Sequence, residues 1–426
     1  MRSPEHGSST SPIYLSPGVR TPFVRAGGPY ARQSSIELSI PVVRSMLDRA
    51  RPDFLLWGQV IPDPTISNIA RDLLFAAELD RTIPAYASVM ACSSSFVMAL
   101  QASGMLGRGG THLALVGGVE SMSHVAFSVK YRVTERLLGE FAVDPDQGYA
   151  SFSRLTREDF DLPTRGWSGR APGQSMGDYM EVTAKELGIS REAQDRWALR
   201  SHSAAVAGQE SGFFSSLVQP LAGVERDSFP RKDSSMEKLG KLSPVFDRSS
   251  GRGTITPGNA SPLSDGAGSV WLGDPEGMRR LGVDPVVRIL DWEMAAVDFH
   301  RDGMLMAPAR AIPRLLARHG LRSEEVALWE IHEAFSAQVL ANIQALSDPV
   351  YRREKAGVDF DLGPFPWDRV NPHGGSLALG HPFAATGARI LSQACVELSA
   401  HPSGSLAVVS VCAAGGQGTV ALLQRD

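Results

Sequence analysis

The chain is poor in cysteine and in long apolar runs. Three cysteines in 426 residues cannot all pair with one another, and free thiols are expected in a reducing compartment. No stretch approaches the roughly 20 apolar residues that a membrane-spanning helix needs. The opening residues 1–6 lack the basic and then apolar order of a secretory signal. We therefore expect a cytoplasmic protein with no integral membrane segment.

Charge is also limited in amount and balanced in sign. Charged residues make up 21% of the chain, and the formal net charge is −4 at pH 7. Surfaces that coat nucleic acid are strongly basic, so no nucleic-acid partner is implied. A hydrophobic content of 43% over 426 residues suffices for more than one core. Two domains of similar size, or one with a large insertion, are expected.

Strand and helix patterns alternate through most of the chain. Residues 1–12 are rich in Ser, Pro and Gly, which is typical of a loose tail. Strands are predicted at 83–90 and 113–116, with a helix after Cys92. This alternation predicts the α/β class, with helices covering a mixed or parallel sheet.

Residues 131–250 interrupt that alternation. Long polar stretches containing several prolines surround a few helices, one of which is predicted to begin after Ser190, a plausible N-cap. We predict that this segment is a loop domain covering a substrate site.

The alternation resumes towards the C-terminus. A strand is predicted at 327–331, and helices are predicted at 333–345 and 377–396. The helices near Cys92 and His381 would occupy matching places in two similar halves. One half would comprise residues 13–130 and 251–284, and the other residues 285–426.

Cys92 is the leading candidate nucleophile. A cysteine at the start of a buried helix lies near unpaired backbone N–H groups, whose partial positive charge favours thiolate over thiol. The alternative is a small buried thiol followed by a serine-rich helix cap.

Two further residues fit acid–base chemistry with such a thiol. His381 lies between Gly380 and Pro382, and it can take the thiol proton and then donate to a thioester oxygen; the alternative is a satisfied core histidine. Cys412 enters a glycine-rich turn, and a second thiol titrating near neutrality can carry protons. Cys395 is interpreted as a core residue.

His332 follows a predicted strand, at the end where α/β sites gather. It is predicted either to bind a water or substrate oxygen or to cap the next helix. No set of metal ligands is evident, and scattered glycines form no phosphate-binding loop. Together these residues suggest covalent thiol chemistry on an acyl group.

At these residues the chain resembles the thiolase family over nearly its whole length. The resemblance rests on ordered blocks, which run Arg20-Thr21-Pro22-Phe23, Gly117-Gly118-Val119-Glu120-Ser121-Met122-Ser123, Gly258-Asn259-Ala260-Ser261, Ser264-Asp265-Gly266-Ala267, Gly380-His381-Pro382 and the Cys412 turn. It implies the thiolase-like fold, with two similar α/β halves in five layers, αβαβα, and an inserted loop domain.

The resemblance also implies roles for the candidate residues. Cys92 would carry the acyl group, His381 would activate it and contribute to an oxyanion hole, and Cys412 would handle the α-proton. A second oxyanion hole would use the backbone N–H groups of Cys92 and Ala414. The implied reaction is thiolysis of β-ketoacyl-CoA by coenzyme A, which is a substrate rather than a cofactor.

Two features depart from the commonest family pattern. His332 replaces the asparagine of the usual Asn-Glu-Ala-Phe motif. Ala414 replaces a glycine that usually follows two positions after the cysteine at Cys412. These changes, with Gly374-Gly375-Ser376-Leu377, resemble the branch typified by the β-subunit of the fatty-acid trifunctional complex. That branch implies medium and long acyl chains, a role in fatty-acid β-oxidation and an α-subunit partner; the family implies a homodimer or homotetramer.

Residues that bind the substrate are predicted in two groups. Ser261 aligns with a family serine that contacts pantetheine, and Met176 lies in a segment resembling the lining of the acyl pocket. The second group is basic and could meet coenzyme A phosphates or be a solvated loop; it consists of Arg231, Lys232, Lys238 and Lys241.

Two other functions are compatible with the sequence. One is a biosynthetic enzyme that runs the Claisen condensation with the same residues. The other is a non-catalytic acyl-CoA-binding scaffold, which would not require both reactive cysteines and both histidines.

Overall fold

The computed structural model describes residues 11–126, 128–161 and 175–426, so most of the predicted tail lies outside the described residues. In these ranges the strands are β1 (Tyr14–Arg20), β2 (Val24–Arg25), β3 (Phe54–Gly58), β4 (Ala85–Tyr86), β5 (Leu113–Glu120), β6 (Ser128–Val129), β7 (Phe160–Asp161), β8 (Ser264–Gly273), β9 (Val287–Ala296), β10 (Leu328–Ile331), β11 (Leu406–Ala413) and β12 (Gln417–Arg425).

The α-helices of the same ranges are α1 (Ser35–Leu47), α2 (Ile69–Ala76), α3 (Ser94–Met105), α4 (Tyr131–Val143), α5 (Pro145–Phe152), α6 (Met176–Glu186), α7 (Arg191–Glu210), α8 (Met236–Gly240), α9 (Pro275–Leu281), α10 (Phe299–Asp302), α11 (Pro308–Arg318), α12 (Ser336–Ser347), α13 (Pro349–Tyr351), α14 (Ser376–Leu379) and α15 (Thr386–Ser399). No helix among the described residues is both long and apolar enough to cross a membrane.

The main sheet is mixed. Its strand order is β10-β11-β12-β9-β1-β8-β5-β3-β4, with β2 paired to β8. The pairs β3–β5 and β10–β11 are parallel, whereas β5–β8 and β11–β12 are antiparallel. The two halves of the sheet meet where β1 pairs with β9 through Tyr14–Arg288 and Leu15–Val287.

Alternate side chains of each strand face different cores. In β5, Ala114 and Val116 face a central apolar cluster, whereas Leu113 and Leu115 face an outer one. In β11, Val409 faces the central cluster and Val408 a second outer one. Because successive strand residues point to opposite faces, both sheet halves are covered on both sides. The layers follow the predicted αβαβα order.

Helices α3 and α15 form the central layer and bring two candidate site residues together. The backbone N–H of Ala388 donates to Ser95 Oγ at 2.8 Å. A Cβ on Gly387 would lie 2.4 Å from the backbone nitrogen of Phe96, so this contact requires glycine. Such close packing places the segment before α3, which contains Cys92, against the segment before α15, which contains His381.

Three elements have different bounds in the structure from those predicted from the sequence. The strand predicted at 83–90 is limited to Ala85–Tyr86. The helix predicted at 333–345 begins at Ser336. The helix predicted at 377–396 is divided into α14 and α15, because Gly380 has φ 100° and Pro382 has no N–H to donate. That interruption is the turn that presents His381.

Candidate active site

Cys92 lies in a strained turn just before α3. Ala91 has φ 46°, which is unusual for a residue with a side chain. Ser94 holds the turn: its Oγ donates to the Ala91 carbonyl at 2.7 Å and accepts from the Met90 N–H at 2.9 Å. The turn leaves Cys92 partly buried.

His381 is in hydrogen-bond contact with the Cys92 thiol. Its Nε2 lies 3.1 Å from Cys92 Sγ, and its Nδ1 lies 2.7 Å from Thr386 Oγ1. The backbone N–H of His381 donates to Ser264 Oγ at 2.9 Å. The ring is therefore held from both sides and is only 4% exposed.

Burial disfavours the charged form of both partners. It raises the pKa of the Cys92 thiol to about 12, although hydrogen bonds from the backbone N–H groups of Ala414 and Cys92 act in the opposite direction. Burial, and then the charge of Arg389, lower the pKa of His381 to about 3. Desolvation therefore outweighs the backbone dipoles that the sequence suggested would favour the thiolate. A neutral thiol faces a neutral imidazole.

Cys412 lies near the end of β11 and is 1% exposed. Burial is the main cause that raises its pKa well above the ordinary value, and interaction with Cys92 adds to the rise. Its apolar surroundings include Met176, Ala334 and Phe335. The second thiol thus shares one buried site with the first.

His332 is fully buried immediately after β10. The helix cap that the sequence allowed is wrong, because α12 begins four residues later, after Phe335. His332 Nδ1 lies 2.9 Å from Ser376 Oγ, and the ring centroids of His332 and His381 are 4.3 Å apart. Burial, the neighbouring His381 and Arg389 lower the pKa of His332 well below its ordinary value, so this ring is also neutral.

Cys92, His332 and His381 each offer one ligand atom, and these atoms lie within 4.8 Å of one another. A thiolate and two imidazoles are a ligand set that zinc accepts. Three close donors of this type are equally what a thiol nucleophile with two imidazole partners requires. The prediction that no metal is bound stays a prediction.

Glu333 holds the turn that carries His332. Its carboxylate accepts from Ser201 Oγ at 2.7 Å, Asn371 Nδ2 at 2.8 Å and Trp197 Nε1 at 3.1 Å. A Cβ on Gly375 would lie 2.4 Å from this carboxyl group. The acidic side chain is therefore a structural acceptor that joins α7 to the loop before α14.

Sequence reasoning missed Arg389 and the function of Glu120. Arg389 Nη2 donates to Ser376 Oγ at 2.8 Å, behind His332. Glu120 accepts from the N–H groups of Val60 and Ile61 at 3.1 and 2.9 Å. The apolar strand that ends in a glutamate was the available signal for Glu120, whereas Arg389 lay inside a helix with no distinguishing pattern.

The predicted binding residues separate into two groups. Met176 packs in the apolar cluster around Cys412, and the Ser261 N–H donates to the Ala334 carbonyl at 3.0 Å, next to the turn that carries His332. Arg231 and Lys232 are exposed and lie outside this cluster. Phe229, which precedes them in the chain, packs closely against the turn of His381: a Cβ on Gly380 would lie 2.7 Å from the Phe229 ring.

Comparison with known proteins identifies the family. The thiolase N-terminal domain matches residues 13–274, and the thiolase C-terminal domain matches residues 283–425. The chain is 34% identical to a 3-ketoacyl-CoA thiolase of Shewanella woodyi and 33% identical to one of Yersinia enterocolitica, with 97% of each chain covered in both cases.

Solved structures agree. A Bacillus anthracis acetyl-CoA acetyltransferase superposes with a TM-score of 0.80 at 27% identity, covering 98% of this chain and 99% of that one. The Ascaris suum Acat5 thiolase in complex with coenzyme A gives a TM-score of 0.77 at 27% identity, covering 97% and 100%. The fold and these matches make the protein an acyltransferase. The chain belongs to the thiolase family.

Proposed function

We propose that the protein cleaves β-ketoacyl-CoA with coenzyme A through an acyl group carried on Cys92. The observation that carries this proposal is the 3.1 Å contact between Cys92 Sγ and His381 Nε2 in a buried site that also contains Cys412. A nucleophile within hydrogen-bond reach of a base, itself oriented by a third group, is the arrangement of covalent catalysis. Thr386 is the third group here.

The first half-reaction begins with proton transfer. If His381 donates its Nδ1–H to Thr386 Oγ1, the Nε2 lone pair faces the thiol and can accept its proton. Because burial disfavours both charges, thiolate would form only as Cys92 attacks the β-keto carbon. The bond between the α- and β-carbons then breaks, and acetyl-CoA leaves as an enolate that Cys412 protonates. The shortened acyl group stays on Cys92 as a thioester.

In the second half-reaction, coenzyme A attacks that thioester. Its thiol proton passes to a site base, the shortened acyl-CoA leaves, and the Cys92 thiol is restored. The oxyanion formed at the β-carbon and the oxyanion or enolate at the thioester need separate donors. We assign the backbone N–H groups of Cys92 and Ala414 to one, and the side chains of His332 and His381 to the other.

The placement of the predicted residues supports a proposal for how the substrate binds. Ser261 and Met176 are next to the turn of His332 and the Cys412 cluster, which suits contacts with pantetheine and the acyl chain. Arg231 and Lys232 are proposed to meet the coenzyme A phosphates at the outer end. Coenzyme A would be a substrate, with no further cofactor.

The cellular setting is proposed from the resemblance. We favour fatty-acid β-oxidation in the cytoplasm by a homodimer or homotetramer, with an α-subunit as partner. The alternatives are a condensing enzyme of a dedicated pathway and a non-catalytic acyl-CoA-binding scaffold. The same buried thiols and imidazoles would serve the condensing enzyme, whereas a scaffold would not use them.

The test is thiolysis of β-ketoacyl-CoA thioesters from short to long chains, with Cys92→Ala as control. We expect cleavage that increases with chain length, and an acyl adduct on Cys92 detected by mass spectrometry and absent from the control. Activity on short chains alone, faster in the condensing direction, would favour the biosynthetic alternative. Cleavage of no substrate, or an adduct that persists in the control, would contradict the proposal.

A further inference from the structure

Two unusual features of the sequence contact each other in the structure. His332 was singled out as a departure from the commonest family pattern, and Ser376 belongs to the segment Gly374-Gly375-Ser376-Leu377 that was noted with it. The two residues are 44 positions apart. His332 Nδ1 lies 2.9 Å from Ser376 Oγ, and both residues are fully buried. Ser376 therefore bears directly on the protonation of a histidine in the proposed active site.

The direction of this hydrogen bond follows from a third residue. Arg389 Nη2 lies 2.8 Å from the same Ser376 Oγ, and a guanidinium can only donate. Burial lowers the pKa of Arg389 to about 10, with Glu330 opposing that change, so the group is still charged near neutrality. Ser376 Oγ thus accepts from Arg389. Among the described residues, its own hydroxyl proton has His332 Nδ1 as its only acceptor.

A neutral imidazole has one protonated nitrogen. If Nδ1 accepts from Ser376, then Nε2 carries the hydrogen. His332 Nε2 is buried and has no hydrogen-bond partner among the described residues. It belongs to the ring that lies 4.3 Å, centroid to centroid, from His381, beside the Cys92 thiol. An N–H donor without a partner therefore lies where the reaction would develop negative charge on oxygen.

We infer that Ser376 and Arg389 are positioning residues that hold His332 as the Nε2–H tautomer, so that it donates a hydrogen bond to the reacting oxygen and does not act as a base. This inference rests on the proposed function and specifies which of the two histidines accepts a proton and which donates a hydrogen bond. His381 would accept the thiol proton through its lone pair, while His332 would only donate. Before the reaction the two neighbouring imidazoles would thus carry their protons on opposite ring nitrogens, set by the hydroxyl group that each one meets. His381 would become a donor only after it has accepted the thiol proton.

The direct test is the tautomer itself, observed by ¹⁵N NMR of histidine-labelled protein without substrate. We expect the proton of His332 on Nε2. In Ser376→Asp, the carboxylate can only accept, so the proton should move to Nδ1 and kcat for thiolysis should fall about 100-fold, the scale for loss of one oxyanion donor. The KM for coenzyme A should change little. Ser376→Thr keeps the hydroxyl group and should keep the Nε2–H tautomer and more activity than Ser376→Asp.

The control uses His332→Asn. The asparagine side chain keeps an N–H donor whether residue 376 donates or accepts a hydrogen bond. In that background Ser376→Asp should lower kcat no more than about threefold further; a full 100-fold loss there would mean a structural effect and would overturn the inference. If Ser376→Asp does not fold, Ser376→Ala serves, with both tautomers expected. A wild-type His332 protonated on Nδ1 overturns the inference even if thiolysis is normal. An Nε2–H ring in a protein that cleaves no substrate leaves the inference standing and contradicts the proposed function.

Discussion

Two regions nominated from the sequence differ in where their polar partners come from. In the buried site, Glu333 is bonded to residues up to 136 positions away, including Trp197, and His381 contacts Cys92 across 289 positions. In the basic segment 231–241, Lys238 pairs with Asp233 and Lys241 with Glu237, only five and four positions away. Long-range pairing in a buried site needs the whole fold, whereas short-range pairing on the surface needs only a loop.

The difference bears on which residues carry function. A buried donor or acceptor that loses its partner incurs the full cost of desolvation, whereas exposed ion pairs contribute little. Lys232 is also paired, with Glu210 at 2.7 Å, and both side chains are largely exposed. Substitutions in the buried site should therefore have far larger effects than substitutions in the basic segment.

The largest effect is expected when the nucleophile is changed. Cys92→Ser replaces a thiol with a hydroxyl group that is far harder to ionise in a buried site. We expect thiolysis to fall by roughly 10⁴-fold or more, on the scale of removing a nucleophile from a cooperating site. The matched control is Cys395→Ser, a buried thiol in the central core, 3.4 Å from the Leu15 carbonyl. Comparable losses in both chains would show that the effect comes from packing.

The next effect concerns stability and compares two glutamates, one from each region. Glu333→Gln places an amide N–H₂ against donors that the carboxylate now accepts from, so we expect a loss of about 2 kcal/mol in the free energy of unfolding. Urea denaturation measures it. Glu237 forms an exposed ion pair with Lys241, so Glu237→Gln should cause no measurable change in the free energy of unfolding. Equal losses in the two variants would erase the distinction between the regions.

A pH effect should follow from Glu120. Burial raises the pKa of its carboxyl to about 8, outweighing the backbone N–H groups of Ile61, Val60 and Ala384, and Asp265 adds to the rise. A carboxyl in the unfolded chain ionises near 4.5. The folded state therefore holds a proton that the unfolded state loses, and this stabilisation declines as pH rises from about 4.5 through 8.

Glu120→Gln keeps the side chain neutral at every pH. As pH rises from about 4.5 to 8, the wild type should lose unfolding free energy relative to this variant, by at most about 1.4 kcal/mol per pH unit. Unfolding titrations at several pH values measure the slope. A difference that does not change with pH would mean that Glu120 is already ionised in the folded protein.

Much of the fold follows from local patterns. The α/β class and the helices after Ser190 and Cys92 were predicted from periodicity and caps, because those signals are local. The helix predicted at 377–396 is interrupted, because α14 ends at Leu379 and α15 begins only at Thr386, after the turn at Gly380–Pro382. The net effect on the Cys92 thiol could not be predicted, because a nearby helix start is visible in the sequence, whereas burial by the second half of the protein is not. The Arg389–Ser376–His332 chain could not be read from one sequence, since its members meet only after folding.

The smallest effects separate the cations of the basic segment. Among the described residues, Lys232, Lys238 and Lys241 have ion-pair partners and Arg231 has none, which leaves its charge available for a phosphate. We expect Arg231→Ala to raise the KM for coenzyme A about fivefold at low salt, because exposed charges are partly screened. Lys238→Ala should change this KM by less than about twofold.

Because screening acts on exposed charges, the effect of Arg231→Ala on the KM for coenzyme A should shrink as salt is added. An effect of Lys238→Ala equal to that of Arg231→Ala would mean that local pairing does not decide which cation meets the nucleotide, and the contrast between the two regions would then hold for buried groups only.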